Sequence, residues 1–293
     1  MENSKLGVHS LVFTDDWTEV NARVASETAA RIGFDVIEAL IFDPATLDVP
    51  MTGKVVRDAG LELRLGMALT PENDISSTDS VVAAKGETTV ARCLEIASEL
   101  GVSAVSGITY AAFNSYSTTY TQLQKEQVIG ALRRLDQRAG ELGVRLGLEP
   151  VNRYESYMVN TIDQAGDIIR ASESKNLFIH LDTFHMNIEE ADVAGAVTRN
   201  GDLIGYVHLA DNHRGRIGAG TYDFTTLLRA LAQVNYEGDF TVESFSQSTL
   251  SADMAGGLSL WRNAWSDVEE AATEALDFMR TNITAARRAN AAR

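Results

Sequence analysis

These 293 residues read as a single α/β domain that closes into a (β/α)8 (TIM) barrel. Eight short apolar runs recur along the chain. Amphipathic helical patterns alternate with them, at intervals of roughly 25–40 residues, which is how parallel β/α units are spaced. No Gly-x-Gly-x-x-Gly follows the first run, and eight units exceed the usual strand count of an open doubly wound sheet. The runs are KLGVHSLVF (5–13), FDVIEALIF (34–42), LELRLGMAL (61–69) and VSAVSGITY (102–110). They continue with VRLGLEPV (144–151), LFIHLDTF (177–184), LIGYVHLA (203–210) and DFTVESF (239–245).

After the first run, WTEVNARVASETAARIG (17–33) reads as an amphipathic helix. Before the fourth, TTVARCLEIASELG (88–101) repeats Val90, Leu94, Ile96 and Ala97 at helical spacing. Glu-Leu-Gly ends a helix at 99–101 and again at 141–143, each time with Gly just ahead of a strand. Only Pro44, Pro50, Pro71 and Pro150 punctuate the chain, and no linker-like stretch divides it, so residues 1–293 form one domain. The alanine-rich, basic tail TNITAARRANAAR (281–293) is expected as a frayed or solvated helix. YAAFNSYSTTY (110–120) has the length and aromatic content of a lid, and equally suits a plain surface loop.

Composition removes several classes of function. The formal charge is 25 − 41 = −16, with a pI near 4.7, which opposes binding to nucleic acid or to an anionic membrane. Hydrophobic residues at 45% against 23% charged exclude a disordered chain. The single cysteine, Cys93, rules out an internal disulfide and fits a buried helical position. The N-terminal MENSKLGVHSLVF lacks the pattern of a signal peptide, and no run reaches the ~20 apolar residues of a membrane span. A cytoplasmic protein is expected.

In such a barrel the active site lies at the C-terminal ends of the strands. There the apolar runs are interrupted by Glu149 at the end of the fifth, Asp182 at the end of the sixth, His208 in the seventh and Glu243 at the end of the eighth. Any one acid at a strand end is ordinarily a cap or a solvated side chain. Asp, Glu and His together number 46 of 293 residues, and chance puts four on consecutive strands only about once in 50 chains of that composition. Three carboxylates converging on one mouth repel unless a cation neutralises them. Three oxygen ligands and one imidazole form a hard site, which suits Mn2+, Mg2+ or Co2+ rather than zinc and does not fix which of the three.

His180 shares the parity of Asp182 and reads as a packed residue one layer below it. The histidines all fall in or just after predicted strands, none on a helix, and His213 is expected exposed in its loop. Glu155, His185 and Arg214 stand on three neighbouring βα loops, positioned to hydrogen-bond hydroxyl and carbonyl oxygens of a substrate. Gly215, Gly218 and Gly220 read as a turn and not as a phosphate cradle.

LEPVNRYE, HLDTFHMNIEE, VHLADNHRGRIGAG and VESF, in this order and spacing, resemble the D-tagatose 3-epimerase family of xylose-isomerase-like barrels. That family includes the D-allulose (D-psicose) and L-ribulose 3-epimerases. The resemblance implies a divalent metal held by Glu149, Asp182, His208 and Glu243, with no organic cofactor. It implies Glu155, His185 and Arg214 at the C1–C2 end of a ketose, and Glu149 and Glu243 as the acid/base pair that inverts C3 through a cis-enediolate. The implied substrates are free ketohexoses and ketopentoses, of the D-fructose/D-allulose, D-tagatose/D-sorbose and L-ribulose/L-xylulose kind. A homodimer or homotetramer is implied, with segment 250–280 as a contact surface.

His9, Trp17, Met67, Phe113 and Phe245 are expected to shape the pocket around the far end of the sugar. Asp211 stands where many relatives carry Glu. The alternative within enzymes is an aldose–ketose or hydroxypyruvate-type isomerase on the same metal site. A lyase acting on 3-keto-glycosides, a sugar-binding protein without turnover, and a DNA-repair nuclease are the other readings. The nuclease would need more His ligands and a basic groove.

Overall fold

The computed structural model describes Met1 and residues 4–292 of the chain. The elements run β1 (Leu6–His9), α1 (Glu19–Ile32), β2 (Val36–Ile41), α2 (Val49–Asp58), β3 (Glu62–Leu69), α3 (Ser80–Leu100), β4 (Ala104–Ala112), α4 (Gln122–Leu142) and β5 (Arg145–Leu148). They continue with α5 (Ile162–Ala171), β6 (Leu177–Asp182), α6 (Thr183–Glu189), α7 (Val193–Asn200), β7 (Ile204–Leu209), α8 (Phe224–Gln233), β8 (Asp239–Val242), α9 (Ala252–Gly257) and α10 (Val268–Ala291). The eight strands close in sequence order into one parallel barrel, one strand to each of the eight apolar runs, with β4 running two residues past the end of its own. The ring shuts where β1 meets β8, in the register Leu6↔Phe240, Gly7↔Thr241 and Val8↔Val242.

The helices begin as their capping residues dictate. Asp48 accepts from the Met51 N–H and Asp79 from the Val81 N–H, while Thr121 and Gln124 form a reciprocal capping box, as do Thr161 and Gln164. Gly101 and Gly143 end α3 and α4 in the left-handed conformation, the role their Glu-Leu-Gly context predicts. Cys93 is buried in α3, where the apolar surroundings push its thiol up to about 12. No helix among the described residues is long and apolar enough to cross a membrane.

The tail differs from expectation. Residues 281–291 continue α10, which packs against α8 and α1. Ile283 and Ala286 continue the buried stripe of Leu276 and Met279, so the segment is a helix packed along one face and exposed along the other. Of the basic residues, Arg288 is exposed and Arg287 is half-buried at the edge of that stripe. Arg293 lies outside the described residues.

Candidate active site

The acids of the mouth sit where the backbone changes from strand to loop. Asp182 is the last residue of β6 and also caps α6, accepting from the Phe184 N–H at 2.7 Å. Glu149 and Glu243 stand one residue beyond β5 and β8. They remain tied to the neighbouring strands, Glu149 N–H donating to the Gly107 carbonyl (3.0 Å) and Glu243 N–H to that of Leu209 (3.1 Å). His208 lies within β7, in register with Asp182. All four are buried. Ligand-capable atoms of Asp182, His208 and Glu243 fall within 4.8 Å of one another; Glu149 joins overlapping triads with Asp182 and His185, and with His180 and His208.

The imidazole of His208 is fixed by a residue that nothing in the sequence pattern singles out. Glu38, buried in β2, brings its Oε2 to 2.7 Å from His208 Nε2 and accepts from the Tyr206 hydroxyl at 2.6 Å. Because a carboxylate can only accept, Nε2 carries a proton there, and Nδ1 faces the mouth. That Nδ1 is buried without a hydrogen-bond partner, 3.6 Å from Glu243 Oε1. Burial opposes ionisation of Glu38, but the pull of His208 outweighs it and holds the carboxyl below the usual range. Burial likewise opposes a charged His208, yet Glu38, Glu243 and Glu149 raise it to about 10. The only trace of Glu38 in the sequence is one charge inside the run FDVIEALIF.

Burial, with Asp182 nearby, drives Glu149 well above the ordinary carboxyl range. Burial also lifts Glu243, to about 8, against the pull of Arg214. Asp182 goes the other way: burial opposes its charge, but His185, Arg214 and His208 hold it at about 2. Three buried carboxyls thus crowd an imidazole whose inward nitrogen lacks a partner. A hard divalent cation fits this donor set, since it would bind the orphaned nitrogen and neutralise the acids.

His185 is in the first turn of α6 and not in a loop, contrary to the expectation that no histidine lies on a helix. Asp182 caps that helix directly, so β6 passes into α6 without an intervening loop. The Asn152 backbone N–H donates to His185 Nδ1 at 3.1 Å, which puts the ring proton on Nε2. Nε2 lies 3.0 Å from Arg214 Nη2 and 3.7 to 3.8 Å from carboxylate oxygens of Glu149, Asp182 and Glu155. His185 and Arg214 therefore aim N–H groups at the same small space, an arrangement that suits a substrate oxygen. Arg214 Nη2 is also 3.2 Å from Glu243 Oε2, an ion pair without hydrogen-bond alignment.

A cavity of about 510 Å³ opens over this cluster. His9, Met67, Phe113 and Phe245 line it, as the sequence suggests. Trp17 is not among its lining residues: its indole N–H donates to Thr52 Oγ1 at 3.2 Å, and the ring packs against the core outside the cavity. The residue before α9 and several of its own residues also line the cavity, Ser251, Asp253, Met254 and Gly257 followed by Leu258. Ser251 is bound through its backbone N–H (2.8 Å) and hydroxyl to Asp15 Oδ2, across the mouth from the β1 side.

The 110–120 segment starts as strand, since β4 extends to Ala112. The remainder is fastened to its neighbours: Tyr116 stacks on Tyr157 with ring centroids 3.6 Å apart and donates to Asp74 Oδ2 at 2.9 Å. His180 is fully buried beside His208 and Tyr206; both ring nitrogens lack partners, and Nδ1 is 3.8 Å from Glu149 Oε2. His213 is half-buried, its Nδ1 accepting from the Gly215 N–H.

Comparison with known proteins gives a consistent answer. The family model described as xylose isomerase-like TIM barrel matches residues 26–288. The L-ribulose 3-epimerase of Methylomonas sp. (strain DH-1) is 36% identical over 274 residues, covering 94% of this chain and 96% of its own. The ketose 3-epimerase of Arthrobacter globiformis is 35% identical over 281 residues, covering 96% and 97%. Among solved structures, D-allulose 3-epimerase from Methylomonas sp. in complex with D-allulose superposes with a TM-score of 0.93 at 35% identity, covering 96% of this chain and 97% of that one.

Proposed function

The chain belongs to the xylose isomerase-like TIM-barrel family and to its ketose 3-epimerase group, an isomerase by class, and from that premise we propose that it inverts C3 of free ketoses with a divalent cation. The observation that carries the reading is the placing of two buried carboxyl groups, Glu149 and Glu243, just past β5 and β8, with Asp182 and His208 between them. Inversion without an organic cofactor needs two such groups on opposite faces of a planar carbon.

Glu149, Asp182, His208 and Glu243 hold the cation, Mn2+ by preference. When bound it supplies Lewis-acid polarisation of the substrate carbonyl. Arg214, the His185 Nε2–H and Glu155 bind the C1–C2 oxygens and orient C3 toward the two glutamates; a ketose in this cavity is supported by the relative solved in complex with D-allulose. One glutamate takes the C3 proton, leaving a cis-enediolate, and the other delivers a proton to the opposite face. Which does which follows from the epimer that enters. The segment around α9 excludes water from the cavity. Ketose pairs of the D-fructose/D-allulose, D-tagatose/D-sorbose and L-ribulose/L-xylulose kind are the substrates, and the working form is a cytoplasmic homo-oligomer.

The test is incubation with Mn2+ and D-fructose, D-tagatose or L-ribulose, with products identified by chromatography and C3–H exchange followed by NMR in D2O. The expected result is the C3 epimer, with exchange at C3 abolished in both Glu149→Gln and Glu243→Gln. Production of an aldose with no C3 epimer would overturn the proposal in favour of an aldose–ketose isomerase.

A further inference from the structure

Arg214 has a backbone that needs explaining. It is one of few non-glycine residues with positive φ (+52°), a conformation that side chains disfavour. Its guanidinium lies between two aromatic faces, 4.2 Å from the Phe184 centroid and 5.1 Å from that of Phe245. The residue is 6% exposed, and its Nε has no partner. The loop that holds it is organised on one buried carboxylate. Asp211 Oδ2 accepts from the N–H groups of Gly218 (2.8 Å) and Gly220 (2.9 Å), and Oδ1 from that of Asn212 (2.8 Å). Arg214 N–H donates to the Asp211 carbonyl at 2.9 Å, and the Arg214 carbonyl accepts from Phe245 N–H at 2.6 Å. Asp211 is 1% exposed and takes part in no ion pair among the described residues. A Cβ at Gly220 would meet Asp211 Oδ1 at 1.9 Å and Asn212 Oδ1 at 2.1 Å, so the loop is closed tightly around that carboxylate.

We propose that Asp211 is a positioning residue for turnover: by binding three backbone N–H groups it folds 211–220 into the one turn that holds Arg214 in its left-handed conformation and presents its guanidinium to the substrate. A loop tied only at its ends would leave Arg214 free to relax to negative φ, carrying the guanidinium out of the aromatic slot. The proposal rests on the reading of Arg214 as a substrate-gripping residue.

The test is a double-mutant cycle on the Mn2+-loaded protein, with kcat and KM measured on L-ribulose for Asp211→Asn, Arg214→Ala and the double variant. A nitrogen-15 NMR spectrum of the side-chain Nε–H groups accompanies it. Asp211→Asn and Arg214→Ala should each lower kcat/KM by about 100-fold, the scale for a displaced substrate-positioning group. The double variant should be no worse than Arg214→Ala alone. In wild type, the buried Arg214 Nε–H should give a solvent-protected resonance shifted by the two rings; in Asp211→Asn that shift should be lost. Gly220→Ala, which crowds the carboxylate without removing it, should give the same spectral change if Asp211→Asn does not fold. Multiplicative losses in the double variant, or an unchanged Arg214 resonance in a folded variant, would overturn the proposal. Wild-type turnover by Arg214→Ala would instead remove the substrate-gripping reading, and the resonance would still decide whether Asp211 holds Arg214.

Discussion

Replacing Glu38 by Gln probes the least obvious part of the site. Both hydrogen bonds to Glu38, from Tyr206 Oη at 2.6 Å and His208 Nε2 at 2.7 Å, reach the same oxygen, Oε2. A glutamine oxygen in that place can accept both, so the shape survives and only the charge goes. The other oxygen sits against Gly66, where a Cβ would meet it at 2.6 Å, leaving room for the amide nitrogen on the cavity side. Without the negative charge the imidazole is a weaker base, and its inward Nδ1 is a weaker ligand. Loss of a carboxylate behind a metal-binding histidine costs about 10- to 100-fold in metal affinity, or about 1.4–2.7 kcal/mol. Glu38→Ala, by contrast, strips two buried donors of their acceptor and should lower folding stability by about 3–5 kcal/mol. Titration calorimetry of the metal-stripped protein with Mn2+ and urea denaturation separate the two effects. Mn2+ binding by Glu38→Gln within twofold of wild type would refute the reasoning.

Three further outcomes are expected. His208 is raised from 6.5 to about 10 and Glu243 from 4.5 to about 8, whereas burial lowers His9, His180 and His185, so the cation-free fold binds more protons than the unfolded chain only above about pH 7, where unfolded histidines are neutral. Stability of the metal-free protein therefore falls as pH rises from about 7 to 10, Mn2+ affinity climbs over the same range, and calorimetry in buffers of different protonation enthalpy reads proton release; an affinity independent of pH would contradict this. The Tyr110 hydroxyl lies 2.8 and 3.0 Å from the buried carbonyls of Glu149 and Val159, so Tyr110→Phe should cost about 1–3 kcal/mol, read from the urea midpoint, and an unchanged midpoint would count against it. Asp15→Ala cuts both bonds to Ser251, which should loosen α9; KM should rise several-fold and proteolysis near 251–258 accelerate, with the melting temperature nearly constant.

The barrel was legible because burial on both faces leaves each strand as an apolar run, and the run lengths survive in the structure within a few residues. Glu149, Asp182, His208 and Glu243 were legible for the complementary reason, as polar breaks at the ends of those runs. Glu38 and Tyr206 were not, since one polar residue inside an apolar run has no partner until the barrel brings β2 and β7 across from each other. His185 was misassigned to a loop because Asp182 serves as both strand end and helix cap, which leaves no punctuating residue between the two. The packed face of the tail was hidden by its composition: alanine buries as well as it solvates, and only the stripe through Leu276, Met279, Ile283 and Ala286 distinguishes the cases.

The seam between β1 and β8 gives the site a temporal order. Glu38 and Asp15 come from the opening sixth of the chain, Glu243 and Ser251 from its closing fifth, and they face one another only after the first strand has found the eighth. During synthesis the early strands must wait, with one barrel edge exposed, until β8 has cleared the ribosome. A nascent or clipped chain has no assembled mouth in which to hold a cation. On the proposed function, a bound cation would select against open-seam forms, so that metal supply would act on the population of fully closed molecules as well as on their turnover.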